Sequence, residues 1–201
     1  MFRLEKYCIV VSISYCEAHH MKKAFLLLAA ALVISALLFS PAYAADRFKI
    51  TRVYDGDTVQ AEAPGVVIYI MLVGIDAPEV GNQVHKEGQP YGKEARDFLS
   101  RMILNKTVEV VGYGVAPYPH DNIIGVIYLQ GKNINLEMVK KGFAEVQETN
   151  LPKGLDIRPY VEAEKAARSS KKGMWSLGSR YMSPRAWRVK HMGAQNEVEC
   201  K

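Results

Sequence analysis

Asp55-Gly56-Asp57-Thr58, then the apolar run Val66-Val67-Ile68-Tyr69-Ile70-Met71-Leu72-Val73, then Gly74-Ile75-Asp76-Ala77-Pro78-Glu79, set an apolar strand between two acidic motifs. Phe48 to Tyr54 and Thr58 to Ala63 read as two strands around the Asp55-Gly56 turn, a strong hairpin signal. Pro64-Gly65 turns the chain again into a third strand, rich in β-branched residues as a buried strand is, which ends near Ile75. The opening is therefore a β-meander. One acidic motif sits in a turn entering a strand, and the other at the end of a later strand. If those strands are neighbours, three carboxylates converge, and such oxygen-rich clusters hold hard divalent cations.

Working outward, Val80 to Pro90 is polar and reads as a surface loop beside the acidic motifs. From Tyr91 the period changes to three and four, with Ala95, Phe98, Leu99, Met102 and Ile103 marking a helix that stops at Asn105. Val108 to Gly114 and Ile123 to Leu129 are two more strands, joined by a proline-rich loop. Asn135 to Gly142 is a short helix with a glycine stop. A last helix runs from Pro159 to about Lys172, and Met174-Trp175 is expected to pack back onto the strands. The order β-β-β-α-β-β-α-α predicts an α+β, mainly β fold: a five-stranded OB-type barrel with three helices. No internal repeat and no second domain are visible.

The first 44 residues call for separate treatment. Met21-Lys22-Lys23, an apolar segment from Ala24 to Phe39 and the Ala-x-Ala pattern Ala42-Tyr43-Ala44 make 21–44 an expected Sec signal peptide. The apolar core is short for a membrane span of about 20 residues, so an uncleaved anchor is the lesser alternative. Residues 1–20 fit no signal peptide and read as an upstream mis-start. Residues 45–178 then form the barrel domain, and 179–201 a basic, then polar, C-terminal tail. The expected location is the periplasm or the extracellular medium, with no stable membrane association after cleavage.

This partition removes Cys8 and Cys16 and leaves Cys200, so no intramolecular disulfide is expected in the mature chain. The leader carries Arg3, Lys6, Lys22 and Lys23 against Glu5 and Glu17, and its removal lowers the net charge from +5 to +3. A mildly basic chain is compatible with an anionic partner without demanding one.

From Arg47 to Trp175 the residues resemble the staphylococcal-nuclease (thermonuclease) family. The anchors are the two acidic motifs, Tyr91-Gly92-Lys93-Glu94-Ala95, Gly131-Lys132-Asn133-Ile134-Asn135 leading into Leu136 to Phe143, and the closing Met174-Trp175 pair. The resemblance implies a calcium-dependent phosphodiesterase acting on DNA and RNA, with one calcium ion. It makes Asp57 and Asp76 the side-chain ligands, the carbonyl of Ala77 a further ligand, and Glu79 the group that orients or deprotonates the attacking water.

The family pattern also carries two phosphate-bracing arginines, and neither is found in register. One position is Met71. The other falls on His120 or Asn122, depending on where a two-residue insertion is placed. An arginine at a phosphoryl transition state is typically worth ~10³ to 10⁵ in rate, so a slow or modified enzyme is expected. Protonated His120 would partly replace one arginine, and Lys86, His85 and Lys93 offer point charges. Tyr113 and Tyr118 are candidates for stacking on single-stranded DNA or RNA, or equally for packing on the barrel rim. The basic stretch Arg185 to His191, with Trp187, reads as a solvated face or an accessory site for nucleic-acid backbone. The alternative function is a catalytically impaired module that binds nucleic acid or protein. No oligomer is indicated.

Overall fold

Two hairpin turns and a parallel closure generate the barrel. In this computed structural model, residues 46–81, 87–116 and 121–192 are described, and all belong to one unit, Ala45–Lys201. Strands β1 (Asp46–Val53), β2 (Thr58–Ala63) and β3 (Val66–Leu72) form the antiparallel meander. β5 (Thr107–Val115) pairs with β1, and β6 (Ile123–Leu129) pairs with β5, both antiparallel. β6 then lies parallel to β3, Met71 opposite Ile124, which closes a five-stranded mixed barrel. The fold class expected from the sequence is thus the one observed.

The meander is stable because its period-two pattern buries one face. Ile50, Val59, Ala61, Ile70 and Leu72 point into the barrel, where they meet Val108 and Ile127. Helix α1 (Gly92–Ile103) lays Ala95, Leu99 and Ile103 on the same core, and α2 (Ile134–Lys141) adds Met138 and Val139. α2 begins at Asn133, whose side chain accepts from the Leu136 N–H at 2.9 Å, and ends at Gly142 with φ +73°. That left-handed conformation is what a glycine stop provides.

The third strand is shorter than its apolar run suggests. Gly74, at φ +79°, breaks it after Leu72, and the two-residue β4 (Ile75–Asp76) leaves the barrel to pair with β8 (Glu145–Val146). A third two-residue strand, β7 (Lys132–Asn133), folds back antiparallel on the end of β6 before α2.

The expectation of three helices needs correction. Besides α1, α2 and α3 (Arg158–Ser169), the described residues contain a 3₁₀ segment, Gly173–Arg180, and a further helix α4, Pro184–Met192. The last lies in the segment read as a basic tail. Its start is readable afterwards: Ser183 accepts from the Ala186 N–H at 3.1 Å, and Pro184 occupies the first turn, an ordinary capping arrangement. Met174 and Trp175 are buried, but with Ala167, Tyr91 and Tyr181 in a small cluster beside α3 rather than in the barrel core. The segment expected to be a signal peptide, the residues before it and Cys200 lie outside the described residues. Among the described residues, no helix is long and apolar enough to cross a membrane.

Candidate metal and phosphodiester site

The β1–β2 turn builds the first wall of the site. Asp55 Oδ1 accepts from the backbone N–H groups of Asp57 and Thr58 at 2.9 and 2.6 Å, a side-chain-to-backbone turn that fixes Asp57 at the mouth of β2. Asp57 Oδ1 then accepts from the Thr58 hydroxyl at 3.0 Å, and Oδ2 from the Ala77 N–H at 2.7 Å. The second bond spans the two acidic motifs. Leu72 N–H donates to the Asp57 carbonyl at 2.8 Å, so the end of β3 is tied to the same turn.

β4 and the loop after it supply the second wall. Asp76 sits at the tip of β4, and Glu79 follows Pro78. Gln89, nearly fully buried, holds this loop in shape: its N–H donates to the Glu79 carbonyl at 2.8 Å, and its Oε1 accepts from the Glu79 N–H at 3.2 Å. Gly92 opens α1 hard against the Glu79 carbonyl, where a Cβ would stand 2.1 Å from that oxygen. No other residue fits there.

These walls bring Asp55, Asp57, Asp76 and Glu79 into mutual electrostatic reach. Asp57 keeps some exposed surface as a residue, but its carboxyl group is enclosed, and burial raises it well above the usual carboxylate range. Asp55 and Asp76 push it the same way, while the Ala77 N–H opposes. Burial also raises Glu79, against the pull of Arg188.

Arg188 is the residue that sequence reasoning missed. It projects from α4 into the acidic site, where Nη1 donates to Asp76 Oδ1 at 2.9 Å and to Glu79 Oε1 at 2.6 Å. Nη2 donates to Asp76 Oδ2 at 2.9 Å, completing a two-pronged clasp of one carboxylate. Burial favours the neutral guanidine, but Asp76 and Glu79 outweigh it and hold the side chain protonated.

Two more contacts seat the C-terminal segment here. Gln89 Nε2 donates to the Met182 carbonyl at 2.8 Å, and Tyr181 donates its hydroxyl to Glu145. Glu145 lies opposite Asp76 in the β4–β8 pair, and burial raises its carboxyl to about 7.

The other expected site residues are more scattered. Lys93 is exposed on the first turn of α1, next to the Gly92–Glu79 contact. Tyr113 is half-buried where β5 bulges, in electrostatic contact with Tyr128 and Tyr160. Asn122 lies just before β6, and Met71 lies in β3 opposite Thr58. Lys86, Tyr118 and His120 lie outside the described residues.

The donor set suits a hard cation. It is all oxygen, and its negative charge is unbalanced: burial, with Asp55 and Asp76 adding to it, strains Asp57 toward its protonated form, a strain that a divalent cation would relieve. Among the described residues, no group of three or more His, Cys, Asp and Glu side chains is placed to hold a metal ion by itself.

A family model described as staphylococcal nuclease homologue matches residues 69–177. The chain is similar to a micrococcal nuclease of Shigella flexneri, 32% identical over 186 residues, 88% of this chain and 100% of that one. It is similar to an uncharacterized endonuclease of Escherichia coli, 33% identical over 129 residues, 64% of this chain and 76% of that one. It is also similar to a probable endonuclease LCL3 of Pyricularia oryzae, 31% identical over 134 residues, 63% of this chain and 51% of that one. The chain spans about half the length of the first curated relatives it matches.

Proposed function

Because the chain belongs to the family of staphylococcal nuclease homologues, we propose that it is an exported, calcium-dependent nuclease that hydrolyses phosphodiester bonds of single-stranded DNA or RNA. The observation that carries this reading is the bond from Ala77 N–H to Asp57 Oδ2, which draws the two acidic motifs into one site beside Glu79. Asp57, Asp76 and the Ala77 carbonyl would hold one calcium ion. When bound, calcium supplies charge neutralisation and Lewis-acid polarisation of the phosphoryl group.

The chain's own residues do the rest. Glu79, its carboxylate raised by burial, takes the proton from an attacking water, and a base raised toward neutrality performs this better than an ordinary glutamate. Gln89 and Gly92 fix the backbone that carries Glu79. Asp55 holds the turn that presents Asp57. His120, Lys86, Lys93, Tyr113 and Tyr118 are candidates for contacting the nucleic acid. The apolar 24–39 segment and the Ala42-Tyr43-Ala44 pattern support export of the chain from Ala45.

The test is cleavage of single-stranded DNA and RNA by the chain from Ala45, in calcium and in chelator, beside Glu79→Gln and Met71→Arg. Calcium-dependent cleavage that falls ~10² to 10⁴-fold in Glu79→Gln supports the reading. Cleavage indifferent to Glu79→Gln overturns the assignment of the base. The absence of arginine at Met71, and at His120 or Asn122, favours a second reading, a binding module without hydrolysis. It would show as salt-sensitive binding with no cleavage, unrescued by Met71→Arg.

A further inference from the structure

We infer that Arg188 is the phosphate-binding cation of this site, supplied from the C-terminal helix α4, outside the matched residues 69–177. The inference rests on the nuclease reading for its chemistry. Its geometry stands apart from it.

A phosphodiester approaching Asp55, Asp57, Asp76 and Glu79 meets a dense negative field, and a cation must face it. Position 71 holds methionine, and the second arginine position falls on His120 or Asn122, neither of them an arginine. Among the described residues, Arg188 is the basic side chain bonded to this acidic cluster. Its guanidinium has five N–H donors, of which three go to Asp76 and Glu79. Among the described residues, these three bonds leave the Nε–H and the second Nη2–H for an anionic oxygen. The side chain is 29% exposed, so an incoming ligand reaches it from solvent.

The carboxylates that hold Arg188 make it a prepared donor. Both of its Nη atoms are anchored, so little side-chain freedom remains to be lost when a phosphate arrives. Asp76 is not exhausted by the clasp. Each carboxylate oxygen accepts more than one bond, so the clasp leaves Asp76 acceptor capacity for a cation. The helix that carries Arg188 is itself fixed to the site through the Gln89–Met182 bond and the Ser183 cap. Tyr181, just upstream, adds its bond to Glu145.

The experiment compares the full chain with Arg188→Ala and Arg188→Lys, and with Lys165→Ala as a charge-matched surface control on α3. It measures kcat and KM on single-stranded DNA in calcium, binding of a phosphorothioate thymidylate oligonucleotide in calcium and in chelator, and Tm. Arg188→Ala should weaken oligonucleotide binding about tenfold or more and lower kcat by about 10² or more. Arg188→Lys should recover most of the binding and little of the turnover, because it restores charge without the fork. Lys165→Ala should stay within about twofold of the parent, as a surface substitution does.

Two results overturn the inference. If Arg188→Ala raises kcat/KM or tightens oligonucleotide binding, Arg188 is a plug rather than a ligand. If Arg188→Ala lowers Tm and leaves oligonucleotide binding unchanged, it is only a strap for α4. Should the parent show no calcium-dependent cleavage, the nuclease reading fails by itself, and the binding arm still decides the role of Arg188.

Discussion

The Asp57 carboxylate accepts the Ala77 N–H at 2.7 Å, and this bond joins a turn at one end of the meander to the loop that carries the second acidic motif. It holds a charged group in an enclosed place beside Asp55 and Asp76. The architecture of the site and its electrostatic strain therefore arise from the same contact.

Without metal, that strain costs stability. The raised Asp57 carboxyl favours the protonated folded state, so its contribution is fully present at low pH and is lost as pH rises through its folded value. Asp57→Asn keeps an oxygen for the Ala77 N–H and removes the charge. In chelator at neutral pH the variant should be more stable than the parent, because the folded parent has to carry a charge that burial disfavours. In calcium the order should reverse, because the parent alone gains from the ion. Thermal melts in both buffers check this, and a variant that is less stable in chelator contradicts it.

Gly92→Ala should damage the site without touching a carboxylate. Its Cβ would lie 2.1 Å from the Glu79 carbonyl oxygen and 2.7 Å from the carbonyl carbon, so α1 or the Glu79 loop must move. Overpacking of this kind costs about 1–3 kcal/mol. Displacement of Glu79 should lower kcat more than it raises KM. A variant with parental turnover would show that the loop adapts freely.

Glu145 sets a second pH dependence. Its carboxyl is raised from 4.5 to about 7, first by burial, with Asp76 and Glu164 adding to it and Tyr181 opposing. The folded state thus binds a proton that the unfolded chain has released. Stability from this group is fully present below pH 4.5 and is lost as pH rises through about 7, by up to ~3 kcal/mol. Urea unfolding of metal-free protein between pH 5 and pH 8 should show this decline, and Glu145→Gln should flatten it. An unchanged slope in the variant assigns the decline elsewhere.

Asn135 is fully buried and satisfies three backbone groups where the barrel closes. Its Nδ2 donates to the carbonyls of Val73 and Gly125 at 3.0 and 3.1 Å, and its Oδ1 accepts from the Ile127 N–H at 3.1 Å. Asn135→Leu would take this partner from the Val73 carbonyl and the Ile127 N–H beside the β3–β6 seam, while the Gly125 carbonyl keeps the Val73 N–H at 2.9 Å, and should cost on the order of 3 kcal/mol. Chemical denaturation measures it, and a loss below ~1 kcal/mol would mean that water or other groups replace the amide.

Local signals made most of the barrel legible. The Asp55-Gly56 and Pro64-Gly65 turns delimit β1, β2 and β3, and the three-and-four period of Ala95, Leu99 and Ile103 marks α1. Gly142 announces the end of α2 in the sequence and ends it in the structure. β4 was hidden at the expected end of the third strand, since a two-residue strand carries no period and is defined only by its distant partner β8. α4 was hidden for a related reason: nine residues with four basic side chains show too little apolar stripe to outweigh the reading of a solvated tail. Only the Ser183-Pro184 start could have flagged it.

The site divides along the same line. Short motifs determined the identity of Asp57, Asp76 and Glu79, because the turns that present them are built by their immediate neighbours. The tertiary structure alone decided their partners. Glu145 stands opposite Asp76 across a sequence gap of 69 residues, and Arg188 reaches Asp76 from 112 residues away. Sequence order contains no distance, so a guanidinium bound into an acidic site looks, in the chain alone, like one more charge in a basic run.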